Sequence, residues 1–234
     1  MNNIPIAVFA YSFNHRKTTD FLNILYKKGF INVSVVAAPK LDLESGEEVL
    51  CADNGTERIC SEYRFNYIKL AHDNVDGIKK FLSEAKCKSI AIISGARILK
   101  KNIIDIFEKG VINFHPGLIP ATSGLDSFYW MIKRNVKPGV TAHFIDHKVD
   151  AGRILSFYDT EININDDEGG VKEKIYKTQI DALKSVLEKI KDGSEVISAP
   201  IDRPFKNSSL CIIEKEKVML DFHNWKTKVV NFEI

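Results

Sequence analysis

Apolar and polar positions along this chain change between two periods. Apolar runs of strand length occur at 4–10, 31–38, 66–70, 89–93, 110–114, 139–146 and 153–159,. Between them apolar residues recur three and four apart, the spacing of one helix face. At 18–28 Phe21, Leu22, Ile24 and Leu25 follow Thr18 and Thr19, either of which can cap a helix, and Gly29 stands past its end,. The same spacing predicts helices at 75–85 (Val75, Ile78, Leu82), at 101–109 (Ile103, Ile104, Ile106, Phe107) and at 123–134, where Ser123 opens a segment carrying Phe128, Met131 and Ile132. A longer helix covers about 170–191, through Ile175, Ile180, Leu183, Val186, Leu187 and Ile190, and stops at Gly193. Strands alternating with helices predict an α/β protein: a Rossmann-like, largely parallel sheet with helices on both faces.

After that helix the pattern changes. Pro200, Pro204 and Asn207-Ser208-Ser209 mark a linker,. Leu210 to Ile213 and Lys217 to Leu220 then read as two strands about a charged turn at 214–216. The expected organisation is a domain over 1–200 and, over 201–234, a linker with a C-terminal β-hairpin. Some thirty residues cannot hold a five-stranded barrel, because each strand takes about 5–6 residues. An isolated hairpin is marginal in water, so its apolar face needs cover. A symmetric homodimer built partly on this hairpin is expected, the alternative being that the tail folds back on its own domain.

Composition narrows the classes of function. Hydrophobic residues make up 44% and charged residues 27%, ordinary for a globular protein of 234 residues,. The 33 basic and 31 acidic residues leave a net charge of +2, and no basic block suggests nucleic acid as the partner,. Apolar stretches break well short of the ~20 residues that span a bilayer. The opening Ile4-Pro5-Ile6-Ala7-Val8-Phe9-Ala10 lacks the form of a signal peptide and reads as the first buried strand of a cytoplasmic protein,. Cys51, Cys60, Cys87 and Cys211 are scattered, without metal-ligand spacing, and read as free thiols; no metal site is expected,.

Candidate chemistry gathers between residues 113 and 152. If Val111 to His115 is a strand, Asn113 and His115 share a face, and Pro116 ends the ladder so that both lie at the strand's exit,. A second apolar run, Val140 to Ile145, leads to Asp150 and the Ala151-Gly152 turn. An amide, an imidazole and a carboxylate can together hold an oxyanion, move a proton and orient the ring. With no nucleophilic Ser or Cys in the set, the attacking group belongs to the substrate. Taken singly, each residue has an ordinary structural reading: a strand-end Asn as a cap, a His on an apolar strand as core, an Asp before Ala-Gly as a turn. The argument for catalysis is their conjunction.

These residues resemble the formyltransferases that use 10-formyltetrahydrofolate. That family's pattern, Asn-x-His-Pro, Leu-x-Pro, a helix-opening Gly, Gly-x-Thr-x-His and Asp-x-Gly, is met in order by Asn113, His115, Pro116, Leu118, Pro120, Gly124, Gly139, Thr141, His143, Asp150 and Gly152. The resemblance implies formyl transfer to a primary amine, with Asn113 donating to the tetrahedral oxyanion, a role that supplies about 3 kcal/mol. His115 would stabilise charge or accept the amine's proton, and Asp150 would hold the imidazole and its tautomer. His143 is expected to be structural. Ser94-Gly95-Ala96-Arg97-Ile98-Leu99 resembles the loop that receives the pterin ring, so Gly95, Arg97, Ile98, Leu99 and Val149 are the expected folate contacts.

Family members differ in their amine, and the departures rank them. The glycinamide ribonucleotide enzymes carry a glycine-rich phosphate loop after the first strand; here Ala10 to Lys17 contains no glycine,. The methionyl-tRNA enzymes add a C-terminal barrel after a basic linker, and the hydrolases place a regulatory domain ahead of the first strand. Elimination leaves the nucleotide-linked sugar N-formyltransferases. The expected acceptor is dTDP-4-amino-4,6-dideoxyglucose, as in O-antigen and lipopolysaccharide synthesis. Tyr11, Phe13, His15, Arg16 and Trp130 are the candidate acceptor contacts, although aromatic residues here serve equally as core,. The alternatives are a phosphoribosylglycinamide formyltransferase of purine synthesis and a folate-binding protein without turnover.

Overall fold

A computed structural model describes residues 4–40, 54–96, 98–146, 152–192, 198–201 and 207–232. Up to residue 113 its strands run in the order β3-β2-β1-β4-β5, and beyond it in the order β6-β7-β8. Contacts divide the chain into two units, residues 1–113 and 114–234, with the boundary inside β5.

In the first unit, β1 (Ile6–Tyr11) and β2 (Val33–Ala38) pair in parallel, with Ile6 opposite Val33 and Tyr11 opposite Ala38. All six residues of β2 are buried, as an interior parallel strand covered on both faces requires,. On either side, β3 (Asn66–Lys69) pairs with β2 and β4 (Ile90–Ile93) with β1, both in parallel. Crossovers are made by α1 (Arg16–Lys27), α2 (Gly55–Tyr63), α3 (Val75–Glu84) and the short α4 (Lys101–Ile104). Helix α1 buries Thr18, Phe21, Leu22 and Leu25. It ends in a left-handed turn: Gly29 takes φ +79° and donates to Tyr26 O, while Phe30 N donates to Leu25 O at 3.1 Å,.

The helix expected at 101–109 stops after one turn; Ile106, Phe107 and Gly110 bond back three positions, while Glu108 N and Lys109 N donate to Lys88 O and Ser89 O. The apolar pattern had no counterpart for α2, since Thr56 and Cys60 are its only buried residues. Burial pushes the Cys60 thiol, helped by Glu57, to about 12 and the Cys87 thiol to about 11, whereas Cys211 is exposed.

In the second unit, β6 (Gly139–Phe144) and β7 (Arg153–Asp159) pair antiparallel with a bulge at Ala142/His143, and the two-residue β8 (Ala199–Pro200) adds to β7. The parallel pairing of β4 with β5 (Val111–His115) belongs to the first unit. Helix α5 (Ser127–Lys133) begins four residues later than Ser123, because 117–126 is held as an ordered loop. The 24-residue α6 (Glu168–Lys191) is capped by Asp167, whose carboxylate accepts from Gly170 N at 2.7 Å,.

The expected C-terminal hairpin is absent. Helices α7 (Ile212–Met219) and α8 (Phe222–Val230) take its place. The apolar pairs that suggested strands face solvent: Ile212, Ile213 and Leu220 are 76%, 63% and 84% exposed. Burial falls instead on Leu210, Val218 and Trp225. The Glu214–Lys217 stretch is made of good helix formers, and Glu214 Oε2 accepts from Cys211 N at 2.8 Å at the helix start,. The homodimer expectation therefore loses the hairpin on which it rested. Among the described residues no helix is long and apolar enough to cross a membrane.

Trp225 fixes the tail to the second unit. It is 1% exposed, packs on Phe128 and donates Nε1–H to Val136 O at 2.9 Å. Trp225→Ala is expected to cost about 3–5 kcal/mol, measured by urea denaturation. A loss below about 1 kcal/mol would mean that α8 is not packed in this way.

Candidate active site

Strand β5 places its polar residues by simple alternation. Val111, Ile112 and Phe114 are fully buried, while Asn113 is half-buried and His115 is 4% exposed. Beyond the strand, Pro116 and Gly117 turn the chain, and Gly117 N donates to His115 O at 2.8 Å. The loop then returns to the ring it left. His115 Nε2 lies 2.8 Å from the Thr122 carbonyl oxygen. A carbonyl only accepts, so Nε2 carries the proton, and proton exchange at this imidazole falls to Nδ1.

Thr141 on β6 anchors that loop. Its hydroxyl donates to Gly117 O at 2.6 Å and accepts from Ile119 N at 3.0 Å. Thr122 is tied in turn to Leu118 O through both its N–H and its hydroxyl, and Ser127 donates to Pro116 O at 2.7 Å. Glycine is required at 117 for space: a Cβ there would stand 2.2 Å from Thr122 Oγ1 and 3.2 Å from His115 Nε2. His143 is fully buried on β6.

In the first unit, β1 and β4 end together. Ser94 N and Gly95 N both donate to Phe9 O, and Ser94 Oγ lies 3.2 Å from Thr18 Oγ1. A Cβ on Gly95 would meet the Tyr11 ring at 2.6 Å, so this glycine lets the loop and the aromatic residue share one space. Tyr11 stacks on Phe13 with centroids 5.0 Å apart and meets His15 edge-on at 5.2 Å. His15, rather than Thr18 or Thr19, is the N-cap of α1: Nδ1 accepts from Thr18 N at 3.3 Å and lies 2.9 Å from the Thr18 hydroxyl. Burial, and then the charge of Lys17, lowers the His15 pKa. Burial also lowers Lys17, to about 8, beside the Phe21 ring. Arg16 is exposed, 3.8 Å from Asp20.

Asn113 and His115 thus lie two positions apart on one strand, and Gly95, Tyr11, Phe13 and His15 form one packed group in the first unit. Ile98 is 69% exposed and Leu99 is buried. Arg97, Val149 and Asp150 lie outside the described residues. Trp130 sits in the second unit, where its Nε1–H donates to Ser208 O at 3.1 Å and Lys133 and Arg134 cover its ring.

A family pattern described as formyl transferase matches residues 8–187, well over half of the chain. The chain belongs to the formyl transferase family. The matched range takes in β5, the His115 loop and the β1–α1 group. A methionyl-tRNA formyltransferase of Flavobacterium psychrophilum is 28% identical over 144 residues, 61% of this chain and 45% of that protein. A phosphoribosylglycinamide formyltransferase of Bacillus subtilis is 28% identical over 43% of this chain and 52% of its own length. The chain spans about half the length of these relatives. Among solved structures, a 4-N formyltransferase from Francisella tularensis aligns with TM-score 0.64 at 16% identity, covering 94% of this chain and 88% of that one. A phosphoribosylglycinamide formyltransferase from Anaplasma phagocytophilum gives 0.64 at 17%, covering 88% and 100%. These likenesses establish the formyl transferase fold.

Two expectations follow for this formyl transferase chain. Gly117→Ala must push Thr122 aside and should cost about 1–3 kcal/mol; an unchanged urea midpoint would contradict the packing of the loop. Lys17 has a folded pKa of about 8 against 10.5 for an unhindered lysine. A depressed lysine pKa penalises folding fully below about 8, and the penalty is relieved as pH rises toward 10.5,. Melting curves should therefore show wild type gaining on Lys17→Met between pH 8 and 10. Parallel profiles for the two proteins would count against a buried amine.

Proposed function

We propose that the protein transfers a formyl group from 10-formyltetrahydrofolate to the primary amine of a nucleotide-linked amino sugar. The observation that carries formyl transfer is the pairing of Asn113 with an imidazole whose Nε2–H is committed to the Thr122 carbonyl, at the exit of β5. The neutral amine attacks the formyl carbon and gives a tetrahedral oxyanion. Asn113 donates a side-chain N–H to that oxygen. His115 takes the ammonium proton at Nδ1, assisted by Asp150. Collapse breaks the bond to N10 of the folate, which leaves with a proton. For the folate itself, exposed Ile98 next to the Ser94–Gly95 turn offers an apolar surface and loop backbone suited to a flat heteroaromatic ring.

The acceptor reading rests on α1. A helix N-terminus binds phosphate through its first N–H groups, but here the Thr18 N–H is already given to His15 Nδ1. That supports an acceptor held otherwise than by a phosphate at this turn, and so ranks glycinamide ribonucleotide lower. The stacked Tyr11–Phe13 pair offers a flat apolar surface for a nucleobase or sugar,. A dTDP-linked 4-amino-4,6-dideoxy sugar of O-antigen synthesis is the specific acceptor we put forward, and a 4-N formyltransferase is among the structural neighbours.

Two measurements test the reading. A panel of 3-amino and 4-amino nucleotide sugars, glycinamide ribonucleotide and methionyl-tRNA is assayed by folate absorbance; turnover is expected with an amino sugar alone. Efficient formylation of either other acceptor would overturn the ranking. Asn113→Ala, His115→Ala and Asp150→Ala should each lower turnover at least about 100-fold while the protein stays folded. Wild-type rates in His115→Ala would remove the mechanism.

A further inference from the structure

The loop that fixes His115 is gripped from its other side by residues beyond the family match, which ends at 187. Asn207 is 4% exposed and pairs with Gly124 as an isolated parallel bridge. Its backbone N–H donates to Ser123 O at 2.9 Å. Its side-chain amide donates to Ser123 O at 2.8 Å and to Ala121 O at 3.1 Å. Thr122 stands between these two held carbonyls and gives its own carbonyl to His115 Nε2. One asparagine therefore fixes the peptide groups on both sides of the acceptor that sets the imidazole's proton.

A second tie lies next to it. Asp126, in a left-handed conformation at φ 59°, accepts through Oδ2 from Ser209 Oγ and Leu210 N, each at 2.9 Å. Its Oδ1 faces Lys215 Nζ at 2.7 Å. Arg134 adds a bond to Ala121 O at 3.2 Å. The Asn207 and Asp126 bonds join residues more than eighty positions apart, so the C-terminal segment helps set the loop's shape alongside Thr141.

We propose that Asn207 is a positioning residue for His115, acting through the Thr122 carbonyl, and that the Asn207–Lys215 segment is a clasp on the catalytic loop. The role needs an amide in particular. Two N–H groups meet two carbonyls; alanine removes one donor from each, leaving Ala121 O to Arg134 and Ser123 O to the backbone N–H of 207, and aspartate opposes them with a second set of acceptors,. Loss of the clasp lets Thr122 turn away, and His115 then no longer keeps its proton on Nε2 alone.

The proposal rests on His115 being catalytic, and one of its two readouts is independent of activity. The full chain is labelled with 15N-histidine; six imidazoles are present, and His115→Ala identifies the one of interest. Wild type should show a His115 ring held as the Nε2–H tautomer near neutral pH. Asn207→Ala should show a mixed tautomer population and a kcat reduced about tenfold or more, with the KM for folate within about twofold of wild type. Asn207→Asp should be worse on both counts. Should Asn207→Ala unfold, Ser209→Ala removes a tie at the solvent edge and should move the same resonance by less. An unmoved His115 tautomer in a folded Asn207 variant, or in Ser209→Ala when that is the only folded variant, overturns the clasp. A wild type without formyl transfer, yet with the Asn207-dependent tautomer, overturns the functional reading alone.

Discussion

One hydrogen bond organises the second unit: His115 Nε2–H to the Thr122 carbonyl. It requires the chain leaving β5 to come back within seven residues of its own last side chain, and such a turn has no secondary structure to hold it. Two features nearby meet that need. Gly117 removes the atom that would keep Thr122 away, and Thr141 reaches from β6 to hold both ends of the first turn. The energy of any one of these bonds is small, about 1 kcal/mol net. Their value is geometric, since they hold the Thr122 carbonyl where the Nε2–H of the ring meets it.

The first unit follows a different logic. There the ends of β1 and β4 are filled by the protein's own aromatic and imidazole groups, Tyr11, Phe13 and His15, packed over a glycine. A parallel sheet leaves an opening at such strand ends, where ligands commonly enter. Here the stacked Tyr11–Phe13 pair gives part of that end an aromatic surface.

The strands and most helices were legible because burial imposes a pattern: β2 is buried throughout and apolar but for Ser34, and α6 repeats its apolar residues down one face. Asn113 and His115 were legible because a strand ending in proline leaves them no other geometry. The Thr122 carbonyl was not, because a backbone acceptor has no letter in the sequence; Gly117, Thr141 and Asn207 are its traces. Helix α2 escaped because so little of it is buried, with Thr56 instead bonded to Tyr11 O. The C-terminal helices were misread for the opposite reason. Ile212 and Ile213 are β-prone residues that the fold leaves in solvent, so their local preference pointed one way and packing through Trp225 decided the other,.

The thiols carry a practical consequence. Burial pushes the Cys60 and Cys87 thiols up, to about 12 and about 11, which disfavours the thiolate that an alkylating reagent needs at neutral pH,. Cys211 is the exposed exception among the described cysteines, and it adjoins Leu210, whose N–H is bound to Asp126. A thiol-directed fluorophore attached there would sit on the tail at the point where it grips the loop. In a Cys51→Ser background, Cys51 lying outside the described residues, its depolarisation would follow in real time how often that grip is released.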